Sequence, residues 1–177
     1  MINATDSKGT FYILNKKDRT PIIFIHGVGL DHSIWDPQIN EFDNTVLIYD
    51  ILGHGKTPLN KNDLSFDDFS DQIINLIDEL KFNKVHLVGF SIGSLIARNF
   101  ATRFNNRLAS LTLLCSIFNR SDKEQKIVND RFEQTKKDHK LTKDALKRWF
   151  TEDFLNKNPG ISDKIFNILQ NLSLIHI

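Results

Sequence analysis

Four stretches of this chain are apolar on consecutive positions rather than alternate ones: Pro21 to Ile25, Thr45 to Tyr49, Val85 to Val88 and Leu108 to Cys115. The first three stop abruptly, at His26-Gly27, Asp50 and Gly89. Such runs are buried on both faces, the signature of parallel strands covered by helices on each side. Phe11 to Leu14 predicts one shorter strand ahead of them. Between the strands the period becomes helical. Ser65 followed by Asp68 forms a capping box, and Phe66, Phe69, Ile73, Ile77 and Leu80 fall on one face. After Ser91 a second helix carries large Ile92, Ile96, Phe100 and Phe104 beside small Gly93, Ala97 and Ala101. The small stripe lets that helix lie close on a sheet. Strand–helix–strand repetition predicts an open α/β sheet with right-handed crossovers.

From Asn119 onward the strand pattern stops and three helices are expected. Ser121 with Glu124 is a second capping box, ahead of Ile127, Val128 and Phe132. Thr142 caps the next helix, with Leu141 and Leu146 as a hydrophobic staple. That helix carries Trp149, Phe150 and Phe154 and stops before Pro159. Ser162 caps a third, with Ile165, Ile168, Leu169 and Leu172. The chain therefore divides into a core over 1–118 and a helical segment over 119–171. Residues 172–177 match the translation of a transposon end used in library adapters, which predicts a non-native tail after Asn171.

Composition narrows the function. The 177 residues suit one domain of ordinary size. With 23 Lys and Arg against 22 Asp and Glu, the net charge of +1 leaves no basic excess for nucleic acid or a membrane surface. Apolar residues at 40%, charged residues at 25% and a mean hydropathy of −0.30 describe a soluble globular chain. Met1 to Thr10 is polar and lacks the apolar core of a signal peptide. The lone Cys115 excludes a disulfide framework and a multi-cysteine metal site, and points to a cytoplasmic protein. The basic bias over 120–148 reads as a solvated helical face.

The candidate chemistry begins at Gly89-Phe90-Ser91-Ile92-Gly93, directly after a strand and before a helix. A strand turning sharply into a helix holds the serine in a strained conformation, with small flanking residues where a Cβ would collide. The hydroxyl then stands at a helix N-terminus, where dipole and free N–H groups favour negative charge. The competing reading is a turn serine that only caps the helix. His26-Gly27-Val28-Gly29 closes the first long strand. Acyl transfer needs preorganised N–H donors for an oxyanion. Val28 and Ile92 are the candidate donors, and the His26 imidazole orders the loop rather than serving as base. Asp50-Ile-Leu-Gly53-His54-Gly55-Lys-Thr57 reads as a tight structural loop closing the floor of the site.

These segments, in this order, resemble the α/β-hydrolase superfamily over about Pro21 to Cys115: HGVG at 26–29, D-x-x-GHG-x-T at 50–57 and GFSIG at 89–93. The resemblance implies a mostly parallel sheet flanked by helices, with the start of a helical cap from Asn119. It implies Ser91 as nucleophile, backbone N–H groups of Val28 and Ile92 as the oxyanion hole, and His26, Gly27, Gly29, Gly89 and Gly93 as residues that shape it. Arg148-Trp149-Phe150-Thr151 with Phe154, together with Gly29-Leu30-Asp31-His32 and Trp35, resembles 3-oxoadipate enol-lactonase-type hydrolases. Trp35, Phe90 and Trp149 are candidate pocket residues, with core packing the alternative.

The chain departs from the family downstream of Ser91. The family's order is nucleophile, acid, histidine, and the only later histidines are His139 and His176. Ser116 stands where an acid would follow the last strand, and Asp122 belongs to a capping turn. The expectation is a chain that lacks the last strands with the acid and histidine, is poorly stable and nearly inactive alone, and comes from a parent serine hydrolase of a carboxylic ester or lactone. No metal or cofactor is expected, and a small molecule is the partner. Acyl transfer to another acceptor, cofactor-free perhydrolysis, or non-catalytic ligand binding are the alternatives on the same fold. Serine at position 91 excludes an aspartate nucleophile, and no G-x-G-x-x-G follows a strand to suggest a dinucleotide fold.

Overall fold

A computed structural model describes residues 1–61, 63–138 and 144–170. They form two compact units, Met1–Ile117 and Phe118 onward. The first unit is built on six strands: β1 (Ile2–Thr5), β2 (Phe11–Asn15), β3 (Arg19–Ile25), β4 (Asn44–Tyr49), β5 (Val85–Phe90) and β6 (Leu108–Leu114). Their order across the sheet is β1-β2-β4-β3-β5-β6. The last four are mutually parallel, and β1 and β2 add antiparallel pairs at one side.

The double-sided apolar runs are explained by the two faces. Ile23, Ile25, Leu47, Tyr49 and Leu87 point to one face. There they pack on Ile73, Leu76 and Ile77 of α1 (Phe66–Glu79) and on Ile96, Ala97 and Phe100 of α2 (Ile92–Arg103). Ile22, Phe24, Val46 and Ile48 point to the other face, against Trp35 and Ile39 from the β3–β4 connection. The predicted small stripe of α2 meets the sheet, with Gly93 and Ala97 buried. The Ser65 capping box forms on both sides, Asp68 N–H to Ser65 Oγ and Ser65 N–H to Asp68 Oδ2. β6 is an edge strand whose Leu111, Leu113 and Leu114 remain more than a third exposed.

β1 is the strand that hydrophobic patterning does not disclose. Its Ile2 is half exposed. It is held by antiparallel pairing with β2, Ile2 opposite Leu14 and Thr5 opposite Phe11, and pairing leaves no mark in the apolar pattern.

The second unit holds four helices among the described residues rather than three: α3 (Asp122–Asp138), α4 (Asp144–Trp149), α5 (Glu152–Lys157) and α6 (Pro159–Gln170). Ser121 and Glu124 form the expected box. The expected single helix through Trp149 and Phe154 is broken at Thr151. Its hydroxyl accepts the Phe154 N–H at 3.3 Å, so a cap forms where a helix interior was expected. α6 starts at Pro159 and not after Ser162. Proline lacks the N–H that a first turn leaves unused, and its φ suits that position. Thr142, Leu141, His139 and residues 172–177 lie outside the described residues.

α1 ends in a Schellman motif. Phe82 N–H reaches the Ile77 carbonyl at 2.8 Å and Lys81 N–H the Asp78 carbonyl at 3.1 Å. Lys81 sits at the left-handed position with φ +59°, where glycine is the usual occupant. Lys81→Gly is expected to raise stability by about 0.5–1 kcal/mol, the relief of left-handed strain less the added freedom of the unfolded chain. Urea unfolding of both proteins checks this, and a lower midpoint for the variant would refute it.

Candidate active site

Ser91 is the single residue between β5 and α2. Its backbone is strained, φ +55° and ψ −117°, a region that L-residues seldom occupy. The neighbouring glycines make the turn possible. A Cβ on Gly89 would lie 2.2 Å from the Gly93 carbonyl oxygen. A Cβ on Gly93 would lie 2.5 Å from the Ile25 oxygen and 2.8 Å from the His26 oxygen. The first turn of α2 therefore rests directly on the end of β3. The next strand clamps the turn from the other side. Ser91 N–H donates to Leu114 O at 3.0 Å, and Ser94 Oγ lies 2.7 Å from Leu114 O and 2.9 Å from Gly89 O. Ser91 occupies the N-cap position, yet its side chain makes no cap hydrogen bond. The reading of Ser91 as a capping serine is thereby set aside.

β3 pairs with β5 in parallel, Ile25 opposite Gly89, so the loop after β3 emerges beside Ser91. Gly27 O accepts the Leu30 N–H at 3.2 Å, and Gly29 has φ +82°. This is the pattern of a type II turn with glycine at its third position. Val28 is the second residue, whose N–H such a turn does not consume. Ile92 opens α2, and first-turn amides have no acceptor within the helix. Gly27 packs on Phe90, where a Cβ would come 3.1 Å from the ring. The two candidate donors thus sit on backbone segments brought together by Gly27, Gly89 and Gly93.

His26 is fully buried and spans two loops. Nδ1 lies 2.8 Å from Gly27 O, and Nε2 accepts the Ile51 N–H at 3.1 Å. Nδ1 therefore carries the proton. Burial, reinforced by the neighbouring His54 ring 5.4 Å away, lowers its pKa to about 4. The neutral ring holds the Gly27 carbonyl, and with it the plane of the peptide that bears the Val28 N–H.

Asp50, noted in the sequence only as the end of a strand and the head of a loop motif, is the second anchor. Its carboxylate is buried and accepts the His32 N–H at 2.7 Å, His32 Nδ1 at 2.8 Å and the Lys56 N–H at 2.8 Å. Burial pushes its pKa up, but these bonds outweigh it and hold the group below the usual carboxylate range. Gly55, φ +54°, leaves room for it, since a Cβ there would stand 2.3 Å from Oδ2. The sequence signal was a carboxylate closing an otherwise apolar strand just before a glycine-rich turn. Asp31, His32 and Asp50 also bring potential metal-ligand atoms within 4.8 Å of one another. The N–H donors on Asp50 make its role that of a loop anchor.

The other described histidines have these partners: His54 Nδ1 lies 3.1 Å from Leu52 O, and His86 Nδ1 lies 2.8 Å from Ser110 Oγ. His139 and His176 lie outside the described residues. Trp35 is buried in the second apolar cluster, its ring 4.8 Å from Phe24. Trp149 belongs to the second unit and is 42% exposed.

The family model described as alpha/beta hydrolase fold matches residues 20–159. The chain belongs to this family. It is 28% identical over 167 residues to an (E)-2-((N-methylformamido)methylene)succinate hydrolase of Acinetobacter baylyi, covering 93% of this chain and 63% of that protein. It is 24% identical over 166 residues to 3-oxoadipate enol-lactonase 2 of the same organism, covering 93% and 62%. The crystal structure of an enol-lactonase from Burkholderia xenovorans superposes with a TM-score of 0.77 at 24% identity, covering 99% of this chain and 70% of that one. This last likeness supports the fold. The chain spans less than two thirds of the length of the two curated relatives.

Two outcomes follow from the α/β-hydrolase geometry. Gly89→Ala forces backbone against backbone and is expected to cost about 3 kcal/mol or more, measured by urea unfolding. A loss under about 1 kcal/mol would mean that the close approach is absent. His26 takes up its proton in the unfolded chain near pH 6.5 but in the folded one near 4. Its contribution is fully present above pH 6.5 and is lost as pH falls from there to about 4, a span of about 3 kcal/mol. NMR titration of the ring checks this, and a midpoint near 6.5 in the folded state would refute it.

Proposed function

We propose that Ser91 is the nucleophile of a serine hydrolase acting on a carboxylic ester or lactone. The observation that carries this reading is the strained Ser91 backbone with its hydroxyl unused as a cap. A position held against its conformational preference, on glycines that admit nothing larger, fits a hydroxyl presented to a substrate. Ser91 Oγ attacks the carbonyl carbon while its proton passes to a general base. The carbonyl oxygen takes the negative charge between the Val28 and Ile92 N–H groups. The C–O bond to the leaving alcohol then breaks, the alcohol takes the proton, and an acyl-enzyme remains. In a lactone both products stay in one molecule. Water repeats the sequence and frees the acid and Ser91.

Removing one oxyanion donor typically costs about 3–4 kcal/mol of transition-state stabilisation. That magnitude explains why the His26 ring and three glycines are committed to two backbone amides. The base, in this reading, comes from outside the described residues. The helical segment from Asn119 is the start of a cap in the same reading. Support for an ester or lactone rather than another acyl compound comes from the enol-lactonase relative.

The test is labelling of the parent gene product by a fluorophosphonate, with mass mapping of the adduct. The adduct is expected on Ser91, together with hydrolysis of enol-lactone or simple ester substrates. Ser91→Gly is expected to lose both, and to gain about 1 kcal/mol of stability because the strain is relieved. A folded parent protein that neither labels nor turns over would support ligand binding without catalysis. Ester products formed with added alcohol in place of the acid would support acyl transfer.

A further inference from the structure

A cleft opens at the opposite end of the sheet from Ser91. It measures about 520 Å³ and lies between the β2–β3 loop and the α1–β5 turn. Five cations line it, Lys16, Lys17, Arg19, Lys81 and Lys84, against the single carboxylate of Asp18. The whole chain has 23 cations and 22 acids, so this end of the molecule holds a local excess that the net charge of +1 conceals.

Both walls are fixed at the backbone. Thr45 Oγ1 accepts the Lys17 N–H at 2.9 Å, and Asn44 Nδ2 donates to Thr20 O at 2.7 Å, which ties the β2–β3 loop to β4. Arg107 donates to Phe82 O at 2.7 Å and Asn83 O at 2.9 Å, which ties the α1–β5 turn to the start of β6. Of the nearby acids, Asp78 pairs with Arg107 at 2.7 Å, and Asp43 lies 3.6 Å from Arg19, one of the lining cations. Among the described residues, no carboxylate pairs with Lys16, Lys81 or Lys84. Lys81 in addition keeps a left-handed backbone where glycine would be less strained.

The geometry points to a binding site for a compact polyanion, a small molecule bearing several phosphate or carboxylate groups. The volume is that of a small-molecule site. The cations lie on two anchored loops that line one cleft, with Lys17 Nζ donating to the Phe42 carbonyl; charge grouped in this way rather than along a stripe disfavours an extended nucleic acid or a flat membrane. One structural explanation competes for Lys81, since a cation at a helix C-terminus offsets the helix dipole. It predicts that losing Lys81 destabilises the fold. This inference is independent of the reading of Ser91.

The test is calorimetric titration of the parent gene product with inorganic triphosphate and, separately, with citrate, at low salt and at 0.15 M salt. Binding is expected for at least one of the two, weakened by salt, and the tighter one identifies the anion class. A unit charge at contact distance in water changes affinity about fivefold. Lys81→Gly should therefore weaken binding about fivefold while melting no lower than the parent chain, which separates lost charge from lost fold. Lys81→Glu with Lys84→Glu should weaken it beyond about 25-fold. Absence of binding at low salt, affinity unchanged in Lys81→Gly, or tighter binding to a single-stranded oligonucleotide or to phosphatidylserine vesicles than to either small anion would overturn the proposal.

Discussion

Two backbone approaches too close for a side chain, Gly89 on Gly93 and Gly93 on the ends of Ile25 and His26, and one tight contact, Gly27 on the Phe90 ring, hold the upper end of the sheet together. Each joins a different pair of segments. The first folds β5 back onto α2, the second seats α2 on β3, and the third lays the loop after β3 beside the end of β5. Remove the room at any one of them and the serine turn and the oxyanion loop part company. Packing density makes this coupling stiff, because a core without voids passes a displacement on to its neighbours.

Two titratable side chains finish the work in opposite charge states. His26 is buried neutral, bridging Gly27 O and Ile51 N–H. Asp50 is buried ionised, bridging His32 and Lys56. Both tie the loop after β3 to the loop after β4, one from the sheet interior and one further out. Neither can be replaced by an apolar residue without orphaning a buried amide or carbonyl, and such a group costs about 1–3 kcal/mol. The loops at this end are thus rigid by hydrogen bonding, although they are loops.

The parts of this arrangement that depend on side-chain type were legible in the sequence. The runs of β3 and β4 disclosed strands covered on two faces because consecutive positions in them are buried, Ile22 to Ile25 and Val46 to Tyr49, whereas β5 and β6 carry His86, Ser110 and Thr112 within theirs. The serine turn was legible because glycine at 89 and 93 has a steric reason. What depends on partners was not. β1 is made by pairing with β2, and Ile-Asn-Ala-Thr announces nothing of that. The break at Thr151 turns on a hydroxyl preferring one backbone amide over continued helix, a difference smaller than any pattern can resolve. Asp50 looks like a turn former until His32, eighteen positions earlier, is folded against it. Whether Trp35 packs or lines a pocket depended on where its loop lay, and its contact with Phe24 belongs to the sheet face.

Lys81, Ser91 and Cys115 are the described non-glycine residues with positive φ. Two of them, Ser91 and Cys115, follow adjacent strands at the same end of the sheet, and Lys81 stands at the other end. Glycine would relieve each by about 1 kcal/mol, so each persists only because something nearby fixes the backbone. At Ser91 the fixing agents are the Leu114 carbonyl and the glycine contacts; at Lys81 they are the two carbonyls of the Schellman motif. Backbone strain therefore has different physical meaning at the two ends. At the serine it goes with a hydroxyl that makes no cap hydrogen bond to its own helix. At the lysine it puts a charge where the helix terminus alone would have been satisfied by a hydrogen atom.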